Sequence, residues 1–190
     1  MAPAAPRTVM VFGDSLSAAY NLSADQGWVH LLADRIGQAG LQWTVVNASI
    51  SGETTAGGVR RLAEDLKRHK PAVVVIELGA NDALRGQPLA GMRSNLEEMI
   101  RLARQARAEP VLVGLMIPPN YGIEYAAQFR DMYAAIAKKE KTAFVPFLLE
   151  GIADKPELFQ ADGLHPIAQA EARVADNVWA KLEPVLRAAR

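Results

Sequence analysis

Ser15 stands directly after the apolar run Val9–Phe12 and the pair Gly13-Asp14, in the stretch MVFGDSLSAAYNLS. Gly-Asp-Ser is ordinary turn chemistry after a buried strand. It is also a way to hold a nucleophile at a strand end, beside the N-terminus of the next helix. A serine hydroxyl attacks a carbonyl only when a base takes its proton, and the chain has three histidines. His69 ends a helical stretch before Lys70 and Pro71, where a helix C-terminus favours it. His30 lies early in WVHLLADRI and reads as a partly exposed helical residue. His165 differs: it sits in a Gly-containing turn, downstream of Asp162 in DGLHP. Pro166 behind it suits the first position of a helix, so His165 is expected at a helix entrance. Asp162 can reach its Nδ1 and fix the tautomer, leaving Nε2 to face a serine. Alone, Asp-x-x-His fits a half metal site, a cap or a surface turn as well.

Acyl transfer also needs donors for an oxyanion. The backbone N–H groups of Ser15 and Gly52 and the side-chain amide of Asn81 are the candidates, though each is also a common turn residue. Metal chemistry fits poorly, because no second histidine lies near a strand end to join Asp162 and His165. TAGGVRR lacks the P-loop lysine pattern, no G-x-G-x-x-G follows the first apolar run, and no G-x-S-x-G elbow is present.

These residues fall between elements of two alternating kinds. Thr8–Phe12, Thr44–Asn47, Ala72–Leu78, Val111–Ile117 and Ala143–Phe147 read as β-rich strands. AVVVIEL is almost continuously apolar, as a strand covered on both faces should be. Helical stripes lie between and after them: Trp28, Leu32 and Ile36; Met92, Leu96, Met99 and Ile100; Phe129, Met132, Tyr133 and Ile136; Val174, Val178 and Leu182. Alternating strands and helices imply an α/β fold with a parallel sheet of five strands. Ligands bind outside the carboxyl ends of such strands. There the sequence gathers GDS, NASISGETT, GANDALRGQP, PPNYG and DGLHP.

At 190 residues the chain fits one domain, with residues 1–7 expected as a flexible N-terminal segment. The 21 basic and 21 acidic side chains cancel and no basic block stands out, which argues against nucleic acid. Cysteine is absent, excluding disulfides and thiolate chemistry. No apolar run is long enough for stable membrane insertion. MAPAAPRT has no apolar h-region and does not read as a signal peptide; a mature terminus with an added Met1 and a native start both fit it.

FGDSLS, NASISGET, GANDALRG and DGLHP, in this order, resemble the four blocks of the SGNH or GDSL-type hydrolases, over nearly the whole chain. RLAEDLKRHKPAVVVIELGANDALRG, PPNYG and ADGLHP are similar to the bacterial thioesterase I / lysophospholipase L1 / arylesterase branch. The resemblance implies a flavodoxin-like three-layer α/β/α sandwich and hydrolysis of small acyl esters and thioesters, lysophospholipids and aryl esters included. It implies a triad of Ser15, Asp162 and His165, an oxyanion hole of Ser15, Gly52 and Asn81, and no cofactor or metal. It also implies a periplasmic or secreted location, with a cytoplasmic one still open. Asp14 is expected to hold its loop by hydrogen bonds. In that branch the loop after Asn81 and the MIPPNYG segment line the acyl groove, so Ile117, Pro118, Pro119 and Tyr121 are the expected substrate contacts. A carbohydrate O-acetyl esterase on the same fold and a flavodoxin-like binding module are the alternatives.

Overall fold

A computed structural model describes residues 7–189. Five parallel strands form one sheet in the order β2-β1-β3-β4-β5. They are β1 (Arg7–Gly13), β2 (Trp43–Asn47), β3 (Val73–Glu77), β4 (Glu109–Val113) and β5 (Ala143–Val145). The helices are α1 (Trp28–Gln38), α2 (Thr55–His69), α3 (Ala80–Leu84), α4 (Leu89–Gln105), α5 (Ile123–Glu140) and α6 (Ala168–Ala188). α1 packs on α6, while α2 packs on α4 and α4 on α5, giving a helical layer on each face of the sheet. This is the expected three-layer α/β/α sandwich. β3 is buried throughout, as a central strand with both faces covered must be. The chain order reverses between β1 and β3, so the ends of these two strands open a crevice. Among the described residues no helix is long and apolar enough to cross a membrane.

Three expected boundaries move. Residues 1–6 lie outside the described residues, but Arg7 opens β1, paired with Trp43 and with its guanidinium over the Trp43 ring. β4 ends at Val113 rather than Ile117, and β5 at Val145 rather than Phe147. Pro146 has no N–H to continue the ladder. Gly114 N–H still donates to the Val145 carbonyl (2.7 Å), but its own carbonyl accepts from Leu148, beyond the proline. The two chains part there, and Met116–Pro119 leave the sheet at its carboxyl edge.

The two helices of one face are tied by a buried polar contact. Glu171 in the first turn of α6 accepts the Trp28 N–H at the start of α1 (2.8 Å). Burial pushes its carboxyl up to about 7, against the opposing Trp28 N–H. A carboxyl with a raised folded pKa contributes its stability below the ordinary range and loses it as pH rises through the folded value. Glu171→Gln keeps an acceptor for Trp28 and removes the ionisation. Wild type is therefore expected to lose on the order of 3 kcal/mol from this group between about pH 4.5 and 8.5, and the variant is not. Urea unfolding at both pH values checks it: an advantage of Glu171→Gln that does not grow with pH would show that folding does not raise the Glu171 pKa.

Candidate active site

The turn that carries Ser15 is built on the end of β3. β1 leaves the sheet at Gly13, where a Cβ would lie 2.5 Å from Glu77 Oε2 and 2.8 Å from Ser17 Oγ, so only glycine fits. Glu77 is fully buried, and its Oε2 accepts from Ser17 Oγ (2.6 Å) and from the Asp14 N–H (3.3 Å). Asp14 in turn accepts from the Leu16 N–H through Oδ1 (3.0 Å) and from Asn81 Nδ2 through Oδ2 (3.0 Å). It thus holds its loop as expected. Residues 14–21 are turns, and α1 starts only at Trp28. Ser15 therefore does not stand beside a helix N-terminus. Hydrogen bonds from Ser17 N and Ala18 N to the Asp14 carbonyl fold the chain back instead.

His165 reaches Ser15 from the far end of the chain. Its Nε2 lies 2.7 Å from Ser15 Oγ, and its Nδ1 lies 2.7 Å from Asp162 Oδ2. An ionised carboxylate only accepts, so Nδ1 carries the proton and Nε2 faces the serine as an acceptor. Asp162 Oδ1 accepts the Leu164 N–H (2.9 Å) and the His165 N–H (3.0 Å), which fixes the carboxylate and the backbone it serves. His165 does not stand at a helix entrance. Pro166 bridges to Phe159, Ile167 is the N-cap, and α6 begins at Ala168. The turn is closed by Asp162 and by Gln160 N–H on the His165 carbonyl (2.8 Å). The other histidines lie elsewhere: His69 ends α2, and exposed His30 faces Asp34 at 3.7 Å.

Asn81 stands on α3, directly after β3, and lines the same cavity as Ser15 and His165. Both of its amide N–H groups are occupied, one by Asp14 Oδ2 and one by the Glu53 carbonyl (2.9 Å). Gly52 does not line the cavity, but it precedes the carbonyl that Asn81 holds and sits at φ 79°, where glycine is unstrained. Among the described residues the N–H groups of Ser15 and Gly52 have no acceptor. Arg61 anchors this loop: it donates to Glu53 (2.7 Å), the Ala48 carbonyl (2.8 Å) and Asp65 (2.7 Å), over the Phe12 ring. Nothing in the sequence pattern signals it, since a basic residue on a helix usually faces solvent.

The cavity holds about 390 Å³. Ile117, Pro118 and Pro119 line it as expected. Tyr121 does not: it lies in a short turn beyond Pro119 and is exposed. Phe147, Leu149 and Phe159 also line it, with Leu16 and Leu84. Phe147 and Leu149 belong to the run VPFLLEGI, which by pattern alone reads as core.

Burial pushes the Asp14 carboxyl up to about 6, and the Asp82 charge adds to this, while the Leu16 N–H, His165 and Asn81 pull it down. Burial also drives Glu77 well above the ordinary range, helped by the Asp14 charge behind it. Asp162 behaves oppositely. Burial raises it, but the N–H groups of Leu164 and His165 and the imidazole outweigh that and hold it below its ordinary value. A serine, an imidazole oriented by an ionised carboxylate, and free N–H groups beside an apolar cavity are the parts needed for acyl transfer.

Comparison with known proteins agrees with this. The model of the GDSL-like lipase/acylhydrolase family matches residues 11–173. Esterase TesA of Pseudomonas aeruginosa is 50% identical over 183 residues, covering 96% of this chain and 91% of that protein. Thioesterase 1/protease 1/lysophospholipase L1 of Escherichia coli is 39% identical over 183 residues, 96% of this chain and 86% of the relative. A crystal structure of TesA superposes with a TM-score of 0.91 at 49% identity, over 94% of this chain and 99% of the other.

The close approach at Gly13 is directly testable. Gly13→Ala forces the Glu77 carboxyl and Ser17 apart and should cost about 1–3 kcal/mol, the usual range for overpacking. It should also slow the reaction of Ser15 with a fluorophosphonate, because the same turn carries both residues. Urea unfolding and the labelling rate are the two measurements; wild-type values for both would mean that the turn does not depend on this contact.

Proposed function

We propose, since the chain belongs to the GDSL-like lipase/acylhydrolase family, that Ser15, His165 and Asp162 are its catalytic triad. The protein is an ester-hydrolysing enzyme, and its substrates on this reading are acyl esters and acyl-thioesters. One observation supports this most: the unbroken contact from Asp162 through His165 to Ser15, 2.7 Å at each step, at the mouth of an apolar cavity. Ser15 Oγ attacks the acyl carbonyl while His165 Nε2 takes its proton. The tetrahedral intermediate collapses, and His165 returns that proton to the leaving alcohol or thiol. Water, deprotonated by His165, then attacks the acyl-enzyme and frees the carboxylic acid. Asp162 stays ionised and stabilises the imidazolium in both halves.

The N–H groups of Ser15 and Gly52 are free to receive the oxyanion. Asn81 joins them by giving up one of its two present acceptors: a developing negative charge competes well against the neutral Glu53 carbonyl. The names of the relatives, esterase and thioesterase 1/lysophospholipase L1, support an acyl-chain substrate, as does the cavity lined by Phe147, Leu149 and Ile117. We infer a periplasmic or secreted location, following the branch that its motifs resemble.

A fluorophosphonate is expected to add once, on Ser15, and EDTA is expected to leave activity unchanged. Labelling that persists in Ser15→Ala would remove Ser15 from the role. On p-nitrophenyl esters kcat/KM should rise from acetyl to octanoyl, by up to about fourfold per buried CH₂. A flat or falling series would favour a carbohydrate O-acetyl esterase.

Asn81→Ala should lower kcat by about 10²–10³ with KM little changed, as when a single oxyanion donor is lost. It should also lower the melting temperature, because it removes the Asn81 donor to Oδ2 of the buried Asp14 and leaves only the Leu16 N–H on its other oxygen. A kcat within a few-fold of wild type would make Asn81 a loop clamp only.

A further inference from the structure

We propose that Tyr20 is a positioning residue for the reaction, its ring packed on the imidazole of His165 so that the base stays aligned and its protonated form is stabilised. The inference rests on His165 being the base. The two rings lie with centroids 4.3 Å apart and planes tilted by 32°. An aromatic face at this distance attracts a cation more than a neutral ring. The contact therefore strengthens when His165 takes the serine proton.

The backbone around Tyr20 is shaped for this contact. Ala19 and Asn21, on either side, both lie in the left-handed region, at φ 55° and 56°. Ala19 adopts it only under strain, which persists where surrounding contacts enforce it. Those contacts tie Tyr20 to both halves of the site. Its N–H donates to the Ser15 carbonyl (3.4 Å), and its carbonyl accepts from Gln160 Nε2 (2.9 Å). The same Gln160 nitrogen donates to the Pro166 carbonyl (3.0 Å), and the Gln160 N–H donates to His165 (2.8 Å). Tyr20 and Gln160 thus join two loops, one after β1 and one before α6, whose reacting groups stand 150 residues apart in the chain. Tyr20 is 40% exposed, and its ring face meets the imidazole.

The test uses Tyr20→Leu, which keeps an apolar side chain, and Tyr20→Phe, which keeps the ring. Tyr20→Leu should lower kcat roughly 3- to 30-fold, the span of a single cation–π contact. The loss should be equal for acetyl and octanoyl p-nitrophenyl esters, with KM little changed. The rate constant of fluorophosphonate addition to Ser15 should fall in proportion, and the melting temperature should stay near wild type. Tyr20→Phe should restore most of both rates. Three outcomes overturn the proposal: wild-type rates in Tyr20→Leu, a loss confined to KM of the long ester, or no recovery in Tyr20→Phe. Wild-type protein that fails to label on Ser15 would instead defeat the triad itself, so the two failures are separable.

Discussion

Glu77 is a carboxyl at the end of the most buried strand of the sheet, and the turn that carries Ser15 is assembled on it. A charge there would be costly to bury, and burial together with Asp14 keeps the group inclined to hold its proton. Among the described residues its Oε1 has no partner, so its hydrogen bonding runs through Oε2. That oxygen accepts two donors, Ser17 Oγ and the Asp14 N–H. An apolar residue at this position would leave both donors buried and unpaired, each at about 1–3 kcal/mol. Gly13 follows from the same constraint, because a side chain there would occupy the space of the carboxyl. The Gly-Asp-Ser motif is thus a set of answers to one buried acid on the neighbouring strand.

Topology supplies the remaining geometry. With β1 beside β3 at the reversal of chain order, the loops after the two strands face each other, and Asn81 can bond Asp14 directly. His165 has farther to come, since β5 is an edge strand on the other side of β4. The connection from Val145 to Ala168 crosses the carboxyl edge of the sheet, with Leu148 and Ile152 buried along the way. Asn177 of α6 donates to the Leu148 and Glu150 carbonyls (both 2.9 Å) and pins it from below. The segment that brings the base thereby also builds one wall of the cavity, through Phe147, Leu149 and Phe159. The position of His165 and the shape of the cavity are one structural problem in this fold.

The strands and their parallel order could be read from β-branched runs separated by helical stripes, because burial on both faces leaves a period-free apolar run that few other settings produce. Ser15 stands out by its place after the first strand, whereas Asp162 and His165 fit several kinds of turn by spacing and are singled out by the resemblance of the four blocks. What escaped the reading has a common cause. Pro166 as a helix start and a helix after Ser15 were local inferences, and both were overridden by long-range bonds, to Phe159 in one case and Glu77 in the other. Tyr121 is expected in the groove because the MIPPNYG segment lines it in the resembled branch, yet the short turn Pro119–Tyr121 leaves it exposed and off the cavity wall. Phe147 and Leu149 carried no distinguishing signal, since a cavity wall and a core differ only in what lies on the far side. Arg61 was invisible for the converse reason: its partners come together only once the loop after β2 has folded over α2.

The acids around the site pull in different directions with pH. Asp14 and Glu77 have raised pKa values, so their contribution to folding is largest in acid and is lost as pH rises through the Asp14 value of about 6. Asp162 has a lowered one, so its contribution is present above the ordinary carboxylate range and is lost only in acid. Near neutrality the fold therefore carries an ionised Asp14 that its surroundings resist, held by Asn81 and Leu16. On the proposed triad mechanism the compensation lies in the reaction. Asp14 is close enough to His165 for a protonated imidazole to pull its pKa down, and Asp162 meets the same ring at Nδ1. On the proposed mechanism an imidazolium formed when Ser15 attacks would be attracted by both carboxylates, and a neutral imidazole far less by either. A carboxylate held at the expense of folding would then act mainly after proton transfer, where an interaction speeds the chemical step.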